Sequence, residues 1–218
     1  MPYTLNDRLV FPHPALADDD GLLAVGGDLS VERLLLAYQH GIFPWFSEET
    51  PILWYSPPER FVLNPKELKV TKSMRQLIRN SSFHTVHNTS FVEVIDKCAS
   101  TKRTDEQGTW ITKDMQEAYI RLHELGYAHS IETYDKNGIL VGGLYGIQIG
   151  SIFCGESMFS HAPNTSKLAL IYLCKEFNFD LIDCQIYSEH LASLGAKLIP
   201  GSAYYELLQK QTVEPFAI

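Results

Sequence analysis

From residue 128 onward, strand-like and helix-like patterns follow one another in the order β-β-β-α-β-α-β, and that order restricts the fold more than any other feature. Three runs, 128–134, 139–149 and 151–159, carry strand patterning. The first two are joined by Asp135-Lys136-Asn137-Gly138, a turn sequence suited to a hairpin because Asn-Gly accepts positive φ. A helix over 166–177, a strand over 181–185, a helix over 189–194 closed by Gly195, a strand over 197–199 and a short helix over 204–210 follow. A hairpin meander feeding crossover units predicts a mixed sheet with helices on both faces. The class is α/β, or α+β by a stricter reading.

Upstream, helices are expected over 72–79, 91–98 and 113–125. Ser90-x-x-Glu93 has the spacing of a capping box for the second, and Thr112 is placed to cap the third. The first 58 residues differ in character, being rich in Pro, Gly and aromatics around one helix. Ser30 would cap that helix, Leu34, Leu35 and Tyr38 would form its apolar stripe, and Gly41 would end it. Prolines flank Trp45, Trp54 and Tyr55, stiffening the backbone that carries these rings. The change of texture predicts a small N-terminal α+β domain, 1–58, and a larger domain, 59–218.

Composition excludes several functions. A net charge of −8 argues against a general DNA-coating protein, which needs a basic surface. No apolar run approaches the roughly 20 residues of a membrane-spanning helix, and the N-terminus lacks the basic-then-apolar pattern of a signal peptide. Cys98, Cys154, Cys174 and Cys184 are widely spaced, as expected for free thiols in a reducing compartment. A cytoplasmic location is expected. His84-x-x-His87 lacks a third ligand of suitable spacing, and no zinc, calcium or nucleotide-loop pattern occurs.

Two places set polar chemistry inside apolar patterns. The strand expected over 181–185 lies between helices and should be central, yet it carries Asp183 and Gln185 on one face, with Ile182 and Cys184 on the other. The carboxyl end of such a strand is where α/β sheets hold ligands. Asp183 capping the next helix would be the simpler role, but Gln185 on the same face needs a partner too. Glu156 stands in the otherwise apolar run 153–159 and requires a cationic partner or a solvated cleft. Gly155 beside it suggests a bulge. Arg60, Lys66, Lys69, Lys72, Arg75 and Arg79 face only Glu67 over their stretch, a local basic excess able to meet phosphates. Trp110, near Lys102, Arg103 and Lys113, suits stacking on an unpaired base, although a tryptophan taken alone is more often core.

Residues 21–28 (GLLAVGGD), 41–46 (GIFPWF), 53–57 (LWYSP), 108–112 (GTWIT), 121–126 (RLHELG), 128–132 (AHSIE), 154–160 (CGESMFS), 181–185 (LIDCQ) and 192–196 (ASLGA) resemble, in order, the leucyl/phenylalanyl-tRNA–protein transferase family. The resemblance implies transfer of Leu or Phe, and Met less well, from aminoacyl-tRNA to proteins beginning with Arg or Lys, marking them for degradation by the N-end rule pathway. It also implies a GCN5-related acyltransferase-like domain behind the small N-terminal one, and no metal or coenzyme. By the same resemblance Asp183 and Gln185 are the catalytic pair. Trp45 and Trp110 are adenosine-stacking aromatics with Tyr38 nearby, Phe153 and Met158 line the pocket for the transferred side chain, and Glu156 is its acidic residue. Leu144 stands where the family pocket often has Met, and Tyr55 where a second Trp is common. Both departures bear on selectivity among apolar side chains, which a pocket discriminates weakly. Strict alternation would separate Phe153 from Met158, so a bulge near Gly155 is predicted.

The implied reaction is attack by an α-amine on an ester carbonyl. Such an amine, with pKa about 7.7–8.0, is roughly 10–15% neutral at pH 7, so positioning can supply much of the acceleration. In this reading Gln185 aims the amine, Asp183 receives the proton, and Glu156 meets the cationic acceptor. Two other readings compete. An acetyl-CoA acetyltransferase would need a Gly-rich turn before the helix at Ser166, where the chain instead has His161-Ala162-Pro163-Asn164-Thr165. A non-enzymatic RNA-binding module would leave the polar strand residues without a purpose. No coiled-coil heptads occur, and a monomer is expected.

Overall fold

The computed structural model describes residues 1–80, 82–101 and 110–215; Lys102 and Arg103, read above as part of a basic and aromatic cluster, lie outside the described residues. In chain order the elements are β1 (Tyr3–Leu5), β2 (Leu22–Gly26), α1 (Val31–Gln39), β3 (Phe43–Pro44), β4 (Leu53–Tyr55) and β5 (Glu59–Leu63). Next come α2 (Lys72–Asn80), β6 (Phe83–His87), α3 (Phe91–Ser100), α4 (Lys113–Glu124), β7 (Ala128–Asp135), β8 (Leu140–Ile149) and β9 (Ile152–Ser160). The chain ends with α5 (Thr165–Glu176), β10 (Leu181–Asp183), α6 (Glu189–Ser193), β11 (Lys197–Pro200) and α7 (Gly201–Leu208).

Strands β1 to β4 form a four-stranded sheet in the order β1-β2-β4-β3, and the remaining strands a seven-stranded sheet in the order β11-β5-β10-β9-β8-β7-β6. The larger sheet is mixed: β7, β8 and β9 are an antiparallel meander, whereas β9 and β10 run parallel across the α5 crossover. The expected strand order from 128 onward is therefore present. Pattern reading missed β5 and β6. In β5 four consecutive residues are buried, including Arg60, so no polar alternation marks it; β6 is an edge strand that is only half-covered.

Alternation along the strands sorts most of the core into two clusters, one on each face, with a smaller third one of Met74, Leu168 and Ile171 where α2 meets α5. Val62, Ile152, Cys154 and Ile147 join α1, α3 and α4 in a cluster that also takes in Leu23 and Trp54 of the small sheet. Phe61, Leu63, Phe153 and Ile182 join Ala169, Leu170 and Leu173 of α5 on the other side. Neighbouring glycines of β8 report the same division. A Cβ on Gly142 would run into Thr165 of α5, and one on Gly143 would touch Val94 of α3.

The expected capping box at α3 does not form. Ser90 makes no side-chain cap. Its backbone N–H donates to Glu132 Oε1 at 3.4 Å, while Thr89 Oγ1 and Ser130 Oγ donate to the same carboxylate at 3.1 and 2.5 Å. A fully buried glutamate from β7 thus takes the role expected of Glu93, because it reaches the helix start without crossing solvent. Thr112 does cap α4, its Oγ1 accepting from Met115 N at 3.3 Å.

Candidate active site between β9 and β10

Strands β9 and β10 stay together for only three residue pairs, Ile152–Leu181, Phe153–Ile182 and Cys154–Asp183. Beyond that point both chains leave the ladder. On β9 the pairing with β8 passes from Gly146–Gly155 to Tyr145–Ser157, so Glu156 is an inserted residue, the bulge that the positions of Phe153 and Met158 require. Its effect on facing is direct: Phe153 and Met158, five residues apart, both belong to the α5-side cluster. On the other side β10 stops at Asp183 and not at 185, because Gln185 adopts φ +62° and turns the chain away.

The gap opened between them is a cavity of about 420 Å³. Of the residues singled out in the sequence, Trp45, Trp110, Leu144, Phe153, Glu156, Met158, Asp183 and Gln185 all line it. Leu144 sits directly across the ladder from Met158, and with Phe153, Leu170 and Leu173 they make one apolar end. Glu156 and Gln185 supply polar atoms, and half-buried Trp45 and Trp110 form part of the wall.

Tyr38 does not take the place expected of it. It is 1% exposed and outside the cavity lining, so it cannot stack on a base. Its hydroxyl instead meets that of Tyr119 on α4.

Asp183 is fully buried and its two oxygens are saturated. Oδ1 accepts from Arg60 Nε and from Gln185 N, both at 2.8 Å, and Oδ2 accepts from Arg60 Nη2 at 2.7 Å and Tyr204 OH at 2.9 Å. Arg60 lies between the rings of Phe43 and Tyr204, at 4.7 and 4.8 Å, with Nη1 donating to Gly41 O. Burial works against the guanidinium charge, but Asp183 outweighs it and holds the Arg60 pKa above its ordinary value. Two expectations fail here. Asp183 has no free lone pair with which to receive a proton, and Arg60 belongs to this ion pair and not to the basic surface run. What Asp183 does is hold the Gln185 backbone in its left-handed turn.

Among the described residues, no cation is in hydrogen-bond contact with Glu156. Oε1 accepts from Gln185 Nε2 at 2.7 Å and Oε2 from Tyr119 OH at 3.1 Å. Burial pushes its pKa up to about 7, against the hydrogen bonds from the tyrosines, and Asp183 adds to the rise. Engagement of Nε2 by Glu156 fixes the Gln185 amide and turns its carbonyl oxygen to the other side. Burial raises the Cys184 thiol pKa well above its ordinary value, in keeping with a packed side chain and not a nucleophile. Sequence reasoning missed Arg60, Tyr119 and Tyr204. A charged residue leading into Phe61-Val62-Leu63 was the available signal for the first; Tyr119 falls on the apolar face of its helix and Tyr204 at the start of the last one, with nothing in the sequence to set either apart.

Comparison with known proteins decides the assignment. The pattern of the leucyl/phenylalanyl-tRNA protein transferase family matches residues 62–209, and that of the family's N-terminal domain matches residues 27–58. The chain is 53% identical over 214 residues to the leucyl/phenylalanyl-tRNA–protein transferase of Syntrophus aciditrophicus, covering 97% of this chain and 89% of that one. It is 50% identical to the one from Flavobacterium psychrophilum, over 94% of this chain and 99% of that one.

The chain belongs to this family.

It is an aminoacyltransferase that moves Leu or Phe from aminoacyl-tRNA to protein N-termini. Among solved structures it is similar to an acetyltransferase of the GNAT family from Staphylococcus aureus, with TM-score 0.34 and 19% identity, covering 44% of this chain and 68% of that one. It is also similar to FemX, with TM-score 0.45 and 11% identity, covering 83% and 71%. Among the described residues no helix is long and apolar enough to cross a membrane.

Proposed function

We propose that the cavity between β9 and β10 receives the aminoacylated 3′ end of the tRNA together with the N-terminus of the acceptor. The observation that carries this reading is the polarity of the one cavity, apolar at Leu144, Phe153 and Met158 and polar at Glu156 and Gln185. The Leu or Phe side chain enters the apolar end. Trp45 and Trp110 stack on the terminal adenosine, a contact open to any base because every base has a π-face. The exposed basic side chains of α2, Lys72, Arg75 and Arg79, offer phosphate contacts to the tRNA stem.

The acceptor is a protein whose first residue is Arg or Lys, with Glu156 facing its positive end and the net charge of −8 drawing cations over longer range. Addition of Leu or Phe marks it for degradation by the N-end rule pathway. Gln185 Oε1 accepts a hydrogen bond from the amine and aims it at the ester carbonyl, so that attack becomes effectively unimolecular. Asp183 acts behind it by fixing the turn. The protein works as a cytoplasmic monomer, residues 1–58 forming an N-terminal domain and 59–218 the acyltransferase-like domain, and it needs no cofactor because the tRNA ester is already activated.

The test is incubation of an Arg-initiated peptide with Phe-tRNA or with acetyl-CoA, followed by mass measurement. A gain of one Phe residue is expected with the first and no change with the second. Acetylation, or no gain from Phe-tRNA, would overturn the reading, and equal transfer to Ala-initiated peptides would overturn the acceptor assignment.

A further inference from the structure

Behind the cavity lies a line of hydrogen bonds with a direction. The side chains come from four separate places: Tyr38 on α1, Tyr119 on α4, Glu156 at the bulge of β9 and Gln185 past the end of β10. All four residues are more than nine-tenths buried, with exposures of 1%, 0%, 7% and 8%. Tyr119 donates to Glu156 Oε2, so its oxygen is left to accept from Tyr38, and Gln185 Nε2 donates to Glu156 Oε1. Every donor points toward the one carboxylate, and that carboxylate borders the cavity.

We propose that Glu156 is the proton acceptor of the transfer reaction, with Tyr119 and Tyr38 as the positioning residues that hold its carboxylate at the cavity wall. The proposal rests on the placement of substrates given above and goes beyond it by assigning the base. Asp183, the other carboxylate at the cavity, has four donors on its two oxygens and a guanidinium as counter-charge. Glu156 has only neutral donors, Gln185 Nε2 on Oε1 and the two tyrosine hydroxyls, fewer than Asp183, so a lone pair remains for an incoming N–H.

The proton balance follows. The acceptor arrives as an α-ammonium carrying three protons. One passes to Glu156. The freed lone pair forms the C–N bond to the ester carbonyl, and the bond from that carbon to the ribose oxygen breaks. A second proton goes to the departing ribose oxygen, and the third stays on the new amide nitrogen. Glu156 returns its proton to solvent once the products leave, so the cycle closes with one proton released.

A carboxyl near pKa 7 is matched to an α-amine of about 7.7–8.0, so the transfer is nearly thermoneutral and the base is ionised often enough to act at neutral pH. Among the described residues, the charged or titratable groups around Glu156 are Tyr38 and Tyr119 on α1 and α4, Arg60 on β5, Asp183 on β10 and Cys154 on its own strand, with Cys184, Tyr187 and His190 in the cavity wall. Tyr38, Tyr119 and Cys154 have pKa values raised well above their ordinary ones, first by burial, and stay neutral. Arg60 and Asp183 offset each other as a pair. Glu156 is therefore the carboxyl free to change charge in this group.

Single-turnover transfer from Phe-tRNA to a saturating Arg-initiated peptide, followed from about pH 6 to about pH 9.5, tests the assignment. The natural chain should rise through an apparent pKa near 7 and then level. Glu156→Gln should lose about 10²-fold at pH 7 and recover much of it near pH 9, where the amine is neutral from solution, and this loss should persist at saturating peptide, over and above any rise in peptide KM from the lost charge. Tyr119→Phe removes a hydrogen bond that favours the ionised carboxylate and should move the ascending limb to higher pH. A Glu156→Gln loss equal at both pH values, or confined to KM, would overturn the proposal, as would an unmoved limb in Tyr119→Phe. Transfer by the natural chain shows separately that the substrate placement holds.

Discussion

Replacing Arg60 by methionine removes the cation paired with Asp183 while keeping a long apolar side chain between Phe43 and Tyr204. Three of the lost hydrogen bonds matter: two to Asp183, at 2.8 and 2.7 Å, and one to Gly41 O at 3.1 Å. Because both partners have side chains no more than 2% exposed, solvent does not replace what is lost, and breaking such a pair from one side costs about 3–5 kcal/mol. Asp183→Asn alone should also be costly, leaving a buried guanidinium without counter-charge. The double variant Arg60→Met, Asp183→Asn removes both charges, and its cost should fall short of the sum of the singles by about 1–3 kcal/mol. Urea unfolding of the four proteins measures this cycle. Additive costs, or an Arg60→Met cost below about 1 kcal/mol, would show that the ion pair is not what holds the segment after β10. Transfer activity should fall in Arg60→Met as well, since Asp183 Oδ1 fixes the Gln185 backbone.

Three other perturbations have defined outcomes. His129 is 2% exposed and burial pushes its pKa from 6.5 down to about 4, so the fold holds it neutral. The unfolded chain takes up a proton first, so the His129 contribution is full above about pH 6.5 and falls by roughly 3 kcal/mol as pH drops to about 4. Glu156, with its raised pKa, contributes in the opposite sense over the same range. The His129 part is therefore read as the pH-dependent difference between the natural chain and His129→Leu in urea titrations, and a pH-independent difference would refute it. Gly146→Ala would drive a Cβ into Cys154 O and the Phe153 ring beside the bulge, and should lower stability by about 1–3 kcal/mol and reduce Phe transfer; an unchanged melting temperature would refute it. Trp110→Ala should weaken Phe-tRNA binding by about 1–3 kcal/mol, read as Kd, while leaving acceptor KM in place.

Much of the fold was legible because it depends on local signals. The Asn137-Gly138 turn, the caps at Ser30 and Thr112 and the apolar periods of α1 and α4 each need only a few neighbouring residues to be read. The bulge at Glu156 was legible too, from Gly155 within the strand pattern and from requiring Phe153 and Met158 to share a pocket. Where a contact joins residues far apart in the chain, sequence reading failed for a physical reason. Ser90-x-x-Glu93 had the spacing of a cap, yet Glu132, 42 residues away, makes the bond. Arg60 looked like one member of a basic run, and only its contact with Asp183, 123 residues on, makes it internal.

The sequence by itself determined the family, the strand order of the meander and crossovers, and the residue types the chemistry uses, because those are carried by motifs and short-range patterning. Tertiary structure alone decided which carboxylate is neutralised and which is available. Asp183 and Glu156 are the same functional group in similar apolar strands. Their difference lies in what surrounds each once β5, α4 and α7 have closed over them: a guanidinium and four donors for one, a tyrosine, an amide and an open cavity for the other. Charge state in a buried site is a property of neighbours, and neighbours at that distance along the chain exist only after folding.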